Sequence, residues 1–193
     1  MAFRDFWKSD PADFTMIRHP GFEISLFQEF TIINQPAMPT EAPWRDHHWI
    51  AHTQIMLDSF RHYVGRELIA RTGRPDEDAR SVFEAPFVVV SHGTQDDPIL
   101  NYGNQTALTL WEMDIPTLTS MRSRLTAEPM HRDERAQLMT RAARDGFVDD
   151  YRGIRVTSSG KRFLIEQAII WNLIDVNGQR VGQAATFSDW KWL

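Results

Sequence analysis

The segment from Lys161 to Ile174 restricts the fold of this 193-residue chain more than any other. Successive side chains of an extended strand point to opposite faces, so this segment presents two sets of residues. One set is Phe163, Ile165, Gln167, Ile169, Trp171 and Leu173, and the other is Arg162, Leu164, Glu166, Ala168, Ile170 and Asn172. Because neither set is wholly polar, we expect a strand in the centre of a sheet, with helices over one face and another element over part of the second.

Four further segments predict strands around this one. Residues 147–157 and 180–187 flank it, and Asn177-Gly178 is typical of the turn of a hairpin. Upstream, residues 86–91 and 99–102 are short apolar runs separated by turn-forming residues, which predicts a β-hairpin. The chain is therefore predicted to be an α+β domain built on a five-stranded antiparallel sheet.

Helical spacing predicts the remaining elements. Between about residues 44 and 71, apolar residues recur three and four positions apart without a proline, which predicts a long amphipathic helix ended by Gly73-Arg74-Pro75. We expect a charged connector over residues 76–80. Asn104 is a predicted N-cap of a short helix, and a longer helix is predicted over residues 129–145.

Composition and charge exclude several classes of function. Without cysteine, the chain has no disulfide, thiolate metal site or thiol nucleophile, and it forms no flavin–cysteinyl adduct. Its 21 basic and 26 acidic residues give a net charge of −5, which argues against direct binding of DNA or RNA. The apolar runs are too short to span a bilayer and no secretory signal is evident, so we expect no membrane partner and a cytoplasmic location.

The first 43 residues differ from the rest of the chain. Five prolines interrupt short apolar runs there, so we expect an irregular N-terminal arm over residues 1–43 and a folded domain over residues 44–193. The arm contains Phe22, Ile24 and Phe27, which are too apolar for a solvated tail. Part of the arm is therefore expected to dock on the domain or on a second subunit.

Several short motifs resemble those of a known family. The segment Ile99-Leu-Asn-Tyr-Gly-Asn-Gln-Thr-Ala107 and the predicted order of elements are similar to the PAS fold. The chain resembles more specifically the MEKHLA domain, a PAS-like family, over about residues 44–190. The residues that carry this resemblance are Leu110, Glu112, Ser159-Gly160-Lys161, Glu166-Gln167-Ala168 and Trp171-Asn172-Leu173.

The resemblance implies both an architecture and a class of function. The sheet order should be 2-1-5-4-3, with the connecting helices over one face and the long amphipathic helix before the first strand. A stand-alone regulatory module is implied, one that senses a small molecule, binds a protein partner or dimerises. The fold does not choose among these functions, because PAS modules bind haem, flavin or metabolites, or only dimerise.

A PAS-like core would place a small-molecule pocket between the sheet and its helices. Six residues are candidates to line it, namely Tyr102, Asn104, Arg124, Gln167, Trp171 and Gln183. Each also has a structural interpretation, such as a helix cap for Asn104 and a surface ion pair for Arg124.

The histidines give no complete set of metal ligands. His48 and His52 are four residues apart and share a helical face close to His47, but no third ligand is evident, so we predict no metal site. His131 corresponds in position to a haem-binding histidine of some PAS sensors, although its polar surroundings favour contact with a loop or with solvent. Noncovalent flavin and haem are left open as cofactors.

Aromatic residues along the first predicted helix favour a homodimer interface. The candidates are Trp44, Trp49, Met56, Phe60 and Tyr63. The chain ends with Trp190, Trp192 and Leu193, a cluster that either clamps the domain's own helix or forms a surface for self-association.

The alternative function is an isomerase-like or hydrolase-like enzyme that uses the same pocket. Glu166 is the one acid considered, because a carboxyl group in an apolar pocket can retain its proton. Its structural alternative is a pair with Arg155 across the sheet. The chain has neither a Gly-x-Ser-x-Gly elbow nor a phosphate-binding glycine loop, so no catalysis is expected.

Overall fold

The computed structural model describes residues 42–128 and 132–193. Its helices are α1 (His47–Val64), α2 (Pro75–Phe83), α3 (Gln105–Trp111), α4 (Ile115–Ser120) and α5 (Arg132–Asp145), with 3-10 turns at Pro43–Arg45 and Ser123–Thr126. Its strands are β1 (Val88–His92), β2 (Leu100–Gly103), β3 (Phe147–Val156), β4 (Arg162–Ile174), β5 (Arg180–Phe187) and β6 (Trp190–Trp192). The predicted arm lies outside the described residues, apart from residues 42 and 43.

The strands form one antiparallel sheet in the order β2-β1-β5-β4-β3, which confirms the predicted order. β4 is an inner strand next to the edge strand β3, and it pairs with β3 along most of its length. Its other edge pairs with β5 from Ile169 onward and with β6 over Phe163–Ile165. The sequence did not predict β6, which forms from the aromatic cluster at the end of the chain.

The regular alternation predicted for β4 breaks in the middle of the strand. Gly153 faces Ile165 and Tyr151 faces Ala168, so β4 carries one residue more than β3 over this interval. The consecutive residues Glu166 and Gln167 are both exposed there. Because an extra residue reverses which side chains point inward, the predicted sets of residues are wrong beyond this point.

The irregularity gives each face of the sheet its own apolar cluster. Phe163, Ile165, Ala168 and Ile170 pack with residues of α3 and α5 on one face. Trp171 and Leu173 of the same strand pack with residues of α1 and α2 on the other face. The sheet is therefore covered on both sides, by the connecting helices on the first face and by the N-terminal helices on the second.

The first helix ends earlier than predicted, at Val64 instead of near residue 71. Gly65 adopts a left-handed conformation with φ 77°, and its backbone N–H donates to Arg61 in a glycine cap. The following segment is held by Arg71, whose guanidinium binds Asp58 at 3.0 Å and buried Asp78 at 2.9 Å. The connector predicted over residues 76–80 is instead part of α2.

Asn104 is fully buried where the β2 strand meets α3. Its Oδ1 accepts from the backbone N–H of Ala107, which confirms the predicted N-cap, and also from that of Val89 at 3.0 Å. Its Nδ2 donates to the carbonyl oxygens of Phe87 at 2.7 Å and Val82 at 3.2 Å. One side chain thus satisfies backbone groups from α2, the strand β1 and the helix α3.

Replacing Asn104 by alanine should lower the free energy of unfolding by about 3 kcal/mol or more, because several buried backbone groups would lose their only side-chain partner. Urea denaturation of Asn104→Ala measures the loss. The exposed neighbour Gln105 provides a control, and Gln105→Ala should change the stability by less than about 0.5 kcal/mol. Equal stabilities for the two variants would contradict the role given to Asn104.

Candidate ligand-binding site

A cavity of about 60 Å³ lies between the sheet and the connecting helices. Its walls come from all the main strands of the sheet, from the end of α3 and from the 3-10 turn Ser123–Thr126. Its apolar lining residues are Val90, Leu100, Ile165, Ala168, Ile170, Ala184, Ala185 and Phe187. Ser91, His92, Trp111, Ser123, Thr126, Tyr151, Arg155 and Gln183 line it as well. This volume has room for about four water molecules or a ligand of similar size.

Arg155 is the charged residue of the lining and is only 5% exposed. Because Tyr151, Gly153 and Arg155 alternate with outward-facing residues, β3 directs the Arg155 side chain to the cavity face. The guanidinium donates to the Ile154 carbonyl oxygen at 2.9 Å and to the Tyr151 hydroxyl, and it lies over the Tyr151 ring at 4.9 Å. Burial lowers the pKa of Arg155, and no carboxylate among the described residues pairs with it.

Trp111 lies at the end of α3 and is only 4% exposed. Its ring packs edge-on against Phe163, with centroids 5.4 Å apart. Its indole Nε1 is buried and has no hydrogen-bond partner among the residues that the structure describes. The cavity therefore has a second buried donor, in addition to the guanidinium of Arg155.

Glu112 fixes the position of Trp111. Its backbone is left-handed, with φ 57°, and its carboxylate accepts from Thr157 at 3.0 Å and from Ser159 and Lys161. Hydrogen bonds from Lys161 and Ser159 lower the pKa of Glu112 to about 2. The motif residues Glu112 and Ser159-Gly160-Lys161 thus join α3 to the β3–β4 turn, although they are far apart in the sequence.

Of the six predicted ligand-binding residues, only Gln183 lines the cavity. It is buried, and its Nε2 donates to Oδ1 of Asn172 at 3.0 Å. Nδ2 of Asn172 in turn donates to the backbone of α5 at 3.2 Å, so this pair links β5, β4 and the helix. Contact of Gln183 with a ligand stays a prediction.

The structure places the other five candidates elsewhere. Tyr102 is fully buried against Trp49, with ring centroids 4.7 Å apart, and burial raises its pKa. Trp171 is buried against α1, and the cap Asn104 is saturated by backbone groups. Gln167 is exposed at the irregularity of β4. Arg124 is on the surface, where Nε binds Asp97 at 2.9 Å, the ion pair foreseen as its structural alternative.

The predicted dimer interface lies largely against the chain's own sheet. Met56 and Phe60 are fully buried, and the Phe60 ring packs edge-on against Trp171 with centroids 5.0 Å apart. Trp44, Trp49 and Tyr63 are half-buried. Because the sheet of the same chain covers Met56 and Phe60, these two side chains offer no surface to a second copy.

The remaining candidates are dispersed. His47 and His48 are exposed, His52 lies against Ser91, and the described residues contain no group of three or more side chains that could hold a metal ion. His131 lies outside the described residues. Glu166 is exposed and binds Lys191 at 3.0 Å, so the expected pair with Arg155 is wrong and Glu166 has no apolar pocket.

Comparison with solved structures identifies the fold as that of PAS domains. A PAS domain from Colwellia psychrerythraea superposes with a TM-score of 0.51 at 13% identity, covering 61% of this chain and 94% of that one. A light-oxygen-voltage receptor described as RNA-binding superposes with a TM-score of 0.51 at 16% identity, covering 62% of this chain and 34% of that one. At these identities the likeness shows the fold alone.

The family is more specific than the fold. Residues 50–192 match the MEKHLA domain, and the chain therefore belongs to the MEKHLA domain family. No curated protein matches the chain. Within residues 42–128 and 132–193, no helix is both long and apolar enough to cross a membrane.

The cavity does not fit the flavin of light-oxygen-voltage domains or a haem. Pockets for ligands of ordinary drug size occupy roughly 300–1,000 Å³, whereas this cavity has about 60 Å³. Trp111 and Phe187, packed edge-on with centroids 6.1 Å apart, are among the buried side chains that close the cavity. Either cofactor would require these buried side chains to be displaced.

His52 should make the stability of the domain depend on pH. Burial lowers its pKa from 6.5 to about 4, so the unfolded chain binds this proton first as the pH falls. The free energy of unfolding should decrease between pH 6.5 and about 4, by roughly 3 kcal/mol from this group.

Urea denaturation across this interval, with wild type and His52→Gln, measures that contribution. The variant should lose less stability on acidification than the wild type, whereas the exposed-site control His47→Gln should follow the wild type. Parallel curves for wild type and His52→Gln would show that His52 is not the group responsible.

Proposed function

We propose that the domain is a regulatory module that responds to a small molecule bound in the cavity. The observation that supports this most directly is a set of buried polar side chains, including Arg155, around a space that no side chain of the described residues fills. Apolar walls with a few polar side chains placed among them are typical of a binding site. The PAS fold, which is used widely in sensory and regulatory modules, agrees with this assignment.

The response would reach the surface through the sheet. The strands β1 and β5 line the cavity, and Val89 and Ala184 of the same strands pack with residues of α1. Oγ of Ser91 lies 2.8 Å from Nε2 of His52, and Nε1 of Trp171 donates to the Met56 carbonyl oxygen at 3.2 Å. A ligand that shifts these strands would change how α1 docks, which biases an equilibrium between two arrangements.

Filling the cavity should abolish binding without unfolding the domain. Ala168 is buried in the cavity wall, and a leucine at this position would occupy much of the space. Native mass spectrometry of the purified protein should show a bound small molecule in wild type and none in Ala168→Leu. The control Ala143→Leu places the same side chain on the exposed surface of α5 and should retain the bound mass.

A wild-type protein that carries no bound mass would require titration with a panel of small metabolites, followed by thermal denaturation. If no compound raises the melting temperature of wild type by more than it raises that of Ala168→Leu, the proposed function is wrong. Circular dichroism checks that Ala168→Leu keeps its fold.

Self-association is a second part of the proposal, with a different surface from the predicted one. Trp192 and Leu193 are 55% and 60% exposed, and they are consecutive residues at the end of β6 and just after it. Aromatic and aliphatic side chains exposed together favour an interface. The closing cluster of the chain therefore replaces the buried face of α1 as the candidate contact.

Trp192→Lys should shift the protein from dimer to monomer in sedimentation velocity experiments, because a charged group would be placed at the contact. Val176 is fully exposed in a turn, so Val176→Lys is a matched control and should leave the dimer intact. A monomeric wild type at all concentrations, or a dimer that survives Trp192→Lys, would contradict this surface.

A further inference from the structure

We propose that the cavity binds a small carboxylate anion, with Arg155 as its charge partner and the Trp111 indole N–H as a second donor. This inference rests on the proposed function and specifies the chemical class of the ligand. It follows from the charge, the donors and the size of the cavity.

The charge of Arg155 is not balanced within the described part of the fold. A guanidinium stays protonated even when buried, so it cannot avoid the desolvation by losing its proton. Its partners are the neutral Tyr151 hydroxyl and the Ile154 carbonyl oxygen, and neither carries a compensating charge. Isolated buried charges are strongly unfavourable, and no described residue supplies the missing negative charge, so a bound anion is a partner that fits this site.

The polar groups that line the cavity match an anion better than a cation. None of the described residues that line it is an aspartate or a glutamate. A guanidinium has five N–H groups, of which Arg155 uses two for partners within the chain. The buried Nε1 of Trp111 can only donate, and no described residue accepts from it. These groups repel a cation and match the acceptor oxygens of an anion.

The size and the apolar walls favour a carboxylate over an inorganic oxyanion. A cavity of about 60 Å³ admits a ligand of about four to six non-hydrogen atoms. Leu100, Ile165 and Ile170 supply apolar wall that a short aliphatic group can contact. Phosphate or sulfate would bring polar oxygens against those side chains, at a desolvation cost that a carboxylate with an apolar tail avoids.

Isothermal titration with acetate, propionate and pyruvate tests the inference, with acetamide and inorganic phosphate as comparison ligands. At least one carboxylate should bind, while acetamide, which has nearly the same shape as acetate but no charge, should not. Arg155→Met should weaken carboxylate binding at least about 30-fold. Trp111→Phe, which removes the indole N–H, should weaken it roughly tenfold.

Arg152→Met is the matched control, because Arg152 lies on the same strand but is exposed. It should bind carboxylates as wild type does. The stability of the ligand-free protein distinguishes a ligand-binding role of Arg155 from a purely structural one. Removal of an unbalanced buried charge should leave the melting temperature of Arg155→Met equal to or above that of wild type.

The outcomes separate this inference from the proposed function. If phosphate or acetamide binds in the cavity and the carboxylates do not, the carboxylate assignment is overturned while the sensory function stands. Carboxylate binding that is unchanged in Arg155→Met overturns the site. Failure of every ligand, together with a wild-type protein indistinguishable from Ala168→Leu in the metabolite panel, overturns both.

Discussion

The pairing of β3 with β4 carries an extra residue on each strand, and the positions of the core and the cavity depend on it. Tyr151 faces Ala168, whereas Val148 faces Ile170 and Gly153 faces Ile165, so the register shifts and then returns. The shift exposes two consecutive residues on each strand, Asp149-Asp150 and Glu166-Gln167. The shift lies where the strand paired with the other edge of β4 changes from β5 to β6. β4 therefore pairs with three strands in all.

This register places Arg155 among apolar neighbours. In the ligand-free domain, the buried guanidinium lowers stability, and packing from Phe163 and Ile165 must compensate for it. An anion that neutralises Arg155 would remove this penalty and stabilise the folded state by mass action. Under the proposed function, ligand binding and stability would be linked through one side chain, and the sheet would transmit the change to α1.

The sequence predicted the elements well and the cavity poorly, for identifiable reasons. Turn residues and alternating apolar residues are local features of the sequence, and the strands and the Asn104 cap that they predicted were confirmed. The strand order, which the resemblance implied, was confirmed as well. The register shift depends on which strands lie beside β4, and the pattern of β4 alone does not contain it. The assignment of Gln167 and Trp171 to one pocket followed from that missing residue.

Gln183 lies at the cavity, and its signal in the sequence is a polar residue within an apolar strand. Arg155 carries the same signal, because it points to the same face of β3 as Tyr151 and Gly153. The sequence analysis assigned it to a pair with Glu166 instead and so did not place it at the cavity. The end of α1 was misplaced because both Gly65 and Gly73 can cap a helix. Only the contacts of Arg71 with Asp58 and Asp78 show that residues 66–74 are held without helical structure.

The size of the cavity limits how such a sensor could work. The best small ligands gain at most about 1.5 kcal/mol per non-hydrogen atom, so a carboxylate of about five such atoms cannot bind much more tightly than a low micromolar Kd. Little of that free energy can come from apolar contact in so small a space. Most of it must come from neutralising Arg155, so a ligand of the same size without charge would shift the equilibrium of the domain less.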